Sequence, residues 1–299
     1  MLIYSFHMPL FMTISGYLFA FSSKRKDLMQ TIKVKSRQLF LPLAYWTFII
    51  VFFSLYKELL SGDLAHGAIY FLKYYISLLP YYLWFLWALF VISILTSLIA
   101  GKLNDKVILH ILIFILLLSL TDRFGLMYIK FMYPFFLLGY FYNLHREMFK
   151  TYKKPIIYLS FIIFPVLLFF WSKQDLIYQS GMSPYRPDVL KVAIISLYRY
   201  VIGFTGIVVI ITILKKTLYF PKVKFIIKMG TLSLGIYILQ TIIFSVIDLF
   251  VPRPAVDDYI YTFVYTPIAS LIIIMIGMLF TSIISKIPFI GKALFGGRY

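Results

Sequence analysis

The chain has 299 residues, of which 62% are hydrophobic and 13% are charged, and its mean hydropathy is +0.92. This composition excludes a soluble globular domain, because a globule must cover its outside with polar groups. The absence of cysteine from the sequence excludes disulfides and thiolate catalysis. A net charge of +18 would suit nucleic acid in a soluble protein, but the positive-inside rule explains it here without such a partner.

Apolar runs of spanning length recur along the chain and predict an all-α, polytopic integral membrane bundle of about nine transmembrane helices. We place the spans at residues 2–21, 38–60, 80–100, 106–121, 124–144, 155–172, 189–214, 225–250 and 259–285. Residues 66–79 are amphipathic and aromatic, which favours an interfacial or re-entrant segment over a tenth span. Residues 1–299 are therefore predicted to form a single membrane-embedded domain.

The basic residues predict the orientation of these spans. When the loops are assigned alternately to the two sides, one set holds 20 of the 29 lysines and arginines. By the positive-inside rule those loops are cytoplasmic. The first residues of the chain are then expected outside the membrane and the last residues in the cytoplasm.

The first span carries the most unusual polar residues. Residues 6–19 read FHMPLFMTISGYLF, with His7 and Pro9 at the outer end and Ser15-Gly16 near mid-depth. An imidazole at a membrane boundary costs free energy and indicates a functional site, with snorkelling to the interface as the alternative. Ser15 and Gly16 leave room for another backbone to approach closely.

This string resembles the signature of the acyltransferase 3 family of bacterial integral-membrane O-acyltransferases, and most closely its fucose 4-O-acetylase-like branch. Weaker resemblances follow in the family's order, at residues 36–42, 82–90, 133–140 and 230–240. The resemblance implies an enzyme of the bacterial cytoplasmic (inner) membrane. It would transfer an acyl group, typically acetyl, from cytoplasmic acyl-CoA to a hydroxyl of a sugar or polysaccharide precursor, with acyl-CoA as donor substrate and no bound cofactor.

Members of this family usually have ten helices, and the first carries an arginine and a histidine thought to act as catalytic base. Only six residues precede His7, so the sequence is expected to lack that helix and to be truncated relative to the family. In family terms His7 would be the second, supporting histidine at the acceptor side.

We predict His7 and Arg199 as catalytic residues. The near-neutral titration of histidine suits proton transfer. Arg199 lies ten residues from the outer end of its predicted span, or about 15 Å deep at 1.5 Å per residue. A guanidinium at that depth needs a polar cavity or a partner. Structural pairing within the bundle is the alternative.

Four further residues are predicted to bind substrate, and no metal site is expected. Arg37 and Lys35 belong to a basic stretch, residues 24–37, that faces the acyl-CoA compartment, and a guanidinium grips phosphate in bidentate fashion. The alternative is that these residues only follow the positive-inside rule and bind no ligand. Trp84 offers a ring on which a sugar could stack, and Gln240 stands where the family commonly has a histidine.

Two other functions are compatible with the sequence. A glycan transporter or flippase is compatible with a helical bundle that carries a mid-membrane arginine. A non-catalytic relic of the acyltransferase family is compatible with the missing base-bearing helix.

Overall fold

The structure is a computed structural model that describes residues 2–23, 27–60, 68–102, 106–171, 188–217, 230, 232–250 and 260–296. Its regular elements in these ranges are all helical, which confirms the predicted all-α class. In chain order the helices are α1 His7–Ser23, α2 Leu28–Lys35, α3 Leu41–Leu60, α4 Ala68–Tyr82, α5 Trp84–Lys102, α6 Val107–Ser119, α7 Leu126–Leu144, α8 Arg146–Phe169, α9 Val189–Thr217, α10 Ser233–Phe250, α11 Thr266–Ile284 and α12 Pro288–Phe295. Single 3₁₀ or π turns precede α1, α3 and α11, at Leu2–Ser5, Ser36–Phe40 and Tyr261–Tyr265.

Four helical stretches in the described part of the chain are long and apolar enough to cross a membrane: Leu28–Leu55, Arg146–Phe169, Val189–Lys216 and Phe263–Ile284. A fifth arises if Ile69–Tyr82 and Trp84–Ala100, which meet at 81°, form one broken span. The predicted count of nine is not confirmed. The 3₁₀ turn shortens α1 to 17 residues, α6 has 13, and the predicted eighth span begins at residue 225, outside the described residues.

Three helices differ from the sequence prediction. Helix α2 lies between the predicted spans 2–21 and 38–60, in a stretch that was predicted to be a loop. Helix α8 begins at Arg146, nine residues before the predicted start of its span at 155. Its first turns are polar and include an ion pair between Lys150 and Glu147 at 2.7 Å, a spacing of three residues that supports a helix. The short helix α12 follows the last predicted span and was not predicted.

The chain divides into two compact units, one of residues 1–36 and 80–219 and the other of residues 37–79 and 220–299. We call them the first unit and the second unit. The expectation of a single domain stays a prediction.

Helices α1 and α7 form the centre of the first unit, and small residues bring their backbones together. A Cβ atom added at Gly16 would overlap the carbonyl of Phe136, and one at Gly139 would overlap the carbonyl of Thr13. The Thr13 hydroxyl donates to the Phe135 carbonyl at 3.0 Å. The close approach predicted for Gly16 is therefore confirmed, and it fixes the helix that carries His7.

The remaining helices of the first unit pack around this pair. Helix α6 lies against α7, where buried His110 and the Tyr133 hydroxyl are 2.8 Å apart. Helix α9 also packs on α7, with the rings of Phe135 and Phe204 centred 4.6 Å apart. Helix α8 packs on α9 through Phe164, whose ring would meet a Cβ at Gly206. Phe164 also belongs to a buried apolar cluster with Ile202 and Val209 of α9 and with Phe6, the residue before α1.

The second unit has its own contacts. The indole of Trp46 on α3 donates to the carbonyl of Leu294 on α12 at 3.0 Å. The Tyr75 hydroxyl on α4 donates to the carbonyl of Ala44 at 3.1 Å. Helices α10 and α11 approach closely, because a Cβ at Gly235 would overlap the side chain of Thr281.

Candidate functional site

His7 is held by the turn that precedes its own helix. Its Nδ1 lies 2.9 Å from the carbonyl oxygen of Ile3, and its ring meets the edge of Tyr4 at 5.1 Å between centroids. Because a carbonyl only accepts, Nδ1 must carry the hydrogen of this bond, and in the neutral ring the lone pair is then on Nε2. The imidazole is therefore oriented, half-buried, with Nε2 as the atom that can accept a proton or a hydrogen bond.

Helix α9 packs against the end of α1 that carries His7. A Cβ at Gly206 would lie 2.8 Å from Phe6 Cβ, and one at Gly203 would lie 3.6 Å from Pro9 Cγ. Arg199 lies one turn before Gly203 on the same helix, half-buried and with its Nε shielded from solvent. The structure thus brings the two predicted catalytic residues onto neighbouring elements of one unit. Their catalytic roles stay predictions.

The turn of α9 that holds Arg199 is fixed by its neighbour. The Tyr200 hydroxyl donates to the carbonyl of Lys130 on α7 at 3.1 Å, and its ring stacks on Phe131 at 5.1 Å. These contacts set the rotation of α9 about its axis, and with it the direction of the adjacent Arg199.

One end of the first unit, which we call the basic end, gathers cations on aromatic rings. The Arg146 guanidinium lies over Tyr17 and Phe21, 5.1 and 5.5 Å from their centroids, and also donates to the Tyr17 hydroxyl. Lys35 Nζ lies 5.3 Å above the ring of Phe19. Such cation–π contacts hold a cation in place without neutralising its charge. The exposed Arg146 guanidinium can therefore receive an anionic ligand at the basic end.

Sequence reasoning missed Arg146 as a site residue. It was counted only as a loop charge, because its partner Tyr17 lies 129 residues away and no local pattern links the two. The sequence-predicted Arg37 lies in the second unit, exposed, in the π turn before α3. The other basic residues of the predicted cluster, at 24–26, lie outside the described residues.

At the opposite end of α7, which we call the loop end, Trp84 of α5 packs against α7. Its ring stacks on Tyr128 with centroids 4.7 Å apart and an interplanar angle of 21°. Trp87 donates its indole N–H to the Phe124 carbonyl at 3.0 Å. Gly125 follows, with φ of 71°, in a conformation that favours glycine. The predicted sugar-stacking residue is thus part of an aromatic cluster rather than an isolated ring.

The loop end also holds a buried cation that sequence reasoning missed. Lys130 is fully buried, and its Nζ donates to Asp122 Oδ1 at 2.8 Å and to the Leu120 carbonyl at 2.6 Å. A lysine within an apolar helix is costly unless paired in this way. The available signal was the aspartate eight residues earlier, across the turn between α6 and α7.

Gln240 lies in the second unit, half-buried on α10. Four of the six predicted site residues, His7, Lys35, Trp84 and Arg199, therefore belong to the first unit, while Arg37 and Gln240 belong to the second. Within the first unit they divide between the His7 region, the basic end and the loop end.

Comparison with known proteins finds a family and two relatives. The model of a family described as an acyltransferase domain matches residues 1–286. The nodulation protein NolL of Sinorhizobium fredii is 32% identical over 139 residues, which cover 46% of this chain and 37% of that protein. NolL of Mesorhizobium japonicum is 23% identical over 319 aligned positions, which cover 98% of this chain and 79% of that protein. No solved structure matches the chain.

Proposed function

Because the chain belongs to this acyltransferase family, we propose that it transfers an acyl group from cytoplasmic acyl-CoA to a sugar hydroxyl at the other face of the membrane. Family membership supports acyltransferase activity, as the sequence signature predicted. The apolar helices indicate an integral membrane protein. The donor, the acceptor, the bacterial inner membrane and the orientation of the chain are parts of the proposal.

The oriented imidazole of His7 is the observation that carries the proposal. Its Nδ1–H is tied to the Ile3 carbonyl at 2.9 Å, so Nε2 is the basic atom. In the proposed reaction Nε2 receives the hydrogen of the acceptor hydroxyl while that oxygen attacks the thioester carbonyl. The carbon–sulfur bond then breaks, and the CoA thiolate leaves and takes the proton back from Nε2, which restores the neutral imidazole. Arg199 would supply positive charge to the developing oxyanion.

The basic end suits the donor. Lys35 and Arg146 are cations backed by aromatic rings, and such groups bind the phosphates of a nucleotide without having to be ordered first. Arg146 contacts Tyr17, which lies ten residues after His7 on α1. Ten residues correspond to about 15 Å of helix. The positive-inside distribution of charge supports our proposal that this end faces the cytoplasm. Arg37 and Gln240 in the second unit stay predictions as substrate-binding residues.

A histidine-to-asparagine exchange tests the proposal. His7→Asn keeps an amide N–H near the position of Nδ1 and removes Nε2, so the tie to Ile3 can persist while the base is lost. We expect the purified protein in lipid nanodiscs to lose acetyl transfer from labelled acetyl-CoA to methyl glycosides by about 10²–10⁴-fold. His145→Asn, a change at the exposed end of α7, is the matched control.

Three results would contradict the proposal or redirect it. Equal transfer by His7→Asn and wild type would remove His7 from the chemistry. Glycan movement across vesicle membranes without acyl transfer would favour the transporter alternative. The absence of both activities from the wild-type protein would favour the relic.

A further inference from the structure

The Lys130–Asp122 pair at the loop end is built differently from an ordinary surface ion pair. Lys130 is completely buried, whereas 24% of the Asp122 side chain is exposed. By contrast, the side chains of Lys150 and Glu147 on α8 are 69% and 83% exposed. A buried cation that faces a partly exposed carboxylate holds that carboxylate in one position and leaves part of it open to solvent or ligand.

Asp122 is held within a fixed turn. Lys130 binds both the Asp122 carboxylate and the carbonyl of Leu120, so it fixes the start of the turn between α6 and α7. Trp87 fixes the end of that turn through the Phe124 carbonyl. Gly125 packs this turn against Pro80 and Trp87, because a Cβ there would lie 3.0 Å from Pro80 and 3.1 Å from Trp87.

Aromatic rings continue from this turn. Tyr128 lies in the first turn of α7, three residues after Gly125, and stacks on Trp84 at 4.7 Å. Tyr81 meets the Tyr128 ring edge-on at 6.3 Å. All three residues are half-buried, so part of each stays accessible. The fixed carboxylate, in the turn between α6 and α7, and the ring cluster, at the start of α7, therefore belong to the same loop end.

This combination of groups matches the chemistry of a pyranose ring. The C–H face of a sugar is apolar and packs on aromatic rings, while its hydroxyls donate to a carboxylate, which only accepts. A hydrogen bond to an ionised group is about twice as strong as a neutral one. Preorganisation by Lys130 removes the cost of ordering the aspartate on binding.

We propose that Asp122 and the Trp84–Tyr128 ring pair form the acceptor-sugar site, with Lys130 as its positioning residue. As a statement about the acceptor it rests on the proposed function, whereas sugar binding itself needs no acyl transfer. Asp122 accepts from sugar hydroxyls, the rings cover one face of the pyranose, and Lys130 acts only through Asp122 and the turn.

Sugar binding to the full-length protein in nanodiscs tests this site directly. Methyl glycosides of glucose, galactose, mannose and fucose are titrated while tryptophan fluorescence is followed. We expect a saturable change in tryptophan fluorescence with at least one glycoside, and we expect the Trp84→Phe protein to lose this change. Asp122→Asn should weaken binding about 10-fold or more, in line with the loss of a charged hydrogen bond. Glu147→Gln, which removes the carboxylate charge from the exposed pair, should bind as wild type does.

Lys130 variants separate positioning from folding. Lys130→Arg keeps the charge and should retain most of the binding, whereas Lys130→Met should weaken binding to the level of Asp122→Asn. In the transfer assay both weak variants should raise the KM for the glycoside and leave the KM for acetyl-CoA unchanged. A purely structural role would change both constants or the melting temperature alone. Should Asp122→Asn or Lys130→Met not fold, Trp84→Leu decides the question by the same two constants.

Several outcomes would overturn the site. One is that the wild type gives no saturable response to any of the four glycosides. Another is that Asp122→Asn and Glu147→Gln bind equally well. The third is that Trp84→Leu has the same KM for the glycoside as the wild type. Acyl transfer that is indifferent to Asp122 would overturn the site and leave the proposed function standing. Binding that depends on Asp122 in a protein without transfer activity would support the site and contradict the proposed function.

Discussion

The two ends of the first unit use cations in opposite ways. At the loop end Lys130 is buried and paired with Asp122 at 2.8 Å. At the basic end Arg146 is exposed and rests on the rings of Tyr17 and Phe21. A cation that is paired with a carboxylate stabilises the protein and orients its partner, whereas a cation that rests on aromatic faces can still bind an anionic ligand. Burial therefore indicates which cation is structural and which can bind.

The largest expected effect on stability is at the buried lysine. Lys130→Met leaves Asp122 and the Leu120 carbonyl without their donor, and we expect a loss of about 3 kcal/mol in the free energy of unfolding. Lys150→Met, at an exposed pair, should change it by less than about 0.5 kcal/mol. Unfolding of both variants in the same detergent measures the difference. Equal losses would mean that burial does not distinguish the two pairs.

The next effect concerns the donor. Arg146→Gln removes the guanidinium from the faces of Tyr17 and Phe21, and we expect the KM for acetyl-CoA to rise about 10-fold, by the loss of one charged phosphate contact. The KM for the glycoside should stay constant, because the acceptor is proposed to bind at the loop end. Steady-state kinetics with each substrate varied in turn provide the measurement. A change in the glycoside constant alone would reverse the proposed assignment of the two ends.

The smallest effect is at the second anchor of the turn. Trp87→Phe keeps an aromatic ring at this position and removes the indole N–H that binds the Phe124 carbonyl at 3.0 Å. We expect a loss of about 1 kcal/mol in stability, the usual value for one neutral hydrogen bond. The mutant should also bind glycosides slightly less tightly. Thermal unfolding and the fluorescence titration detect the two effects, and a tighter-binding mutant would show that this anchor does not support the site.

The sequence predicted the features that depend on local pattern. Apolar runs are sufficient to predict helices, and the small residue at Gly16 is sufficient to predict close packing, which the contact with Phe136 confirms. The signature around His7 was sufficient to identify the family. It did not predict the hydrogen bond from Nδ1 to Ile3, because the 3₁₀ turn that places this carbonyl is not distinguished by hydropathy.

The features that the sequence did not predict depend on contacts between distant residues or on the ends of helices. Arg146 and Tyr17 are far apart in the chain, so their contact exists only once α1 and α7 are packed. Lys130 and Asp122 are close in sequence, but they were divided between a span and a loop. The break at Leu83 lies three residues after the start of the predicted span at 80, so the sequence predicted a boundary close to it, but not the angle of 81° at which α4 and α5 meet.

An assay across a sealed membrane shows whether the protein passes an acyl group from a donor on one side to a sugar on the other. The protein is reconstituted in liposomes that contain methyl glycosides in the lumen, and labelled acetyl-CoA is added outside to the fraction that exposes the basic end. We expect labelled glycoside inside these vesicles with wild-type protein and at least a 100-fold loss with His7→Asn, by the usual contribution of a general base. Labelled glycoside formed equally by both proteins, or formed only when donor and glycoside are on the same side, would contradict the proposed function.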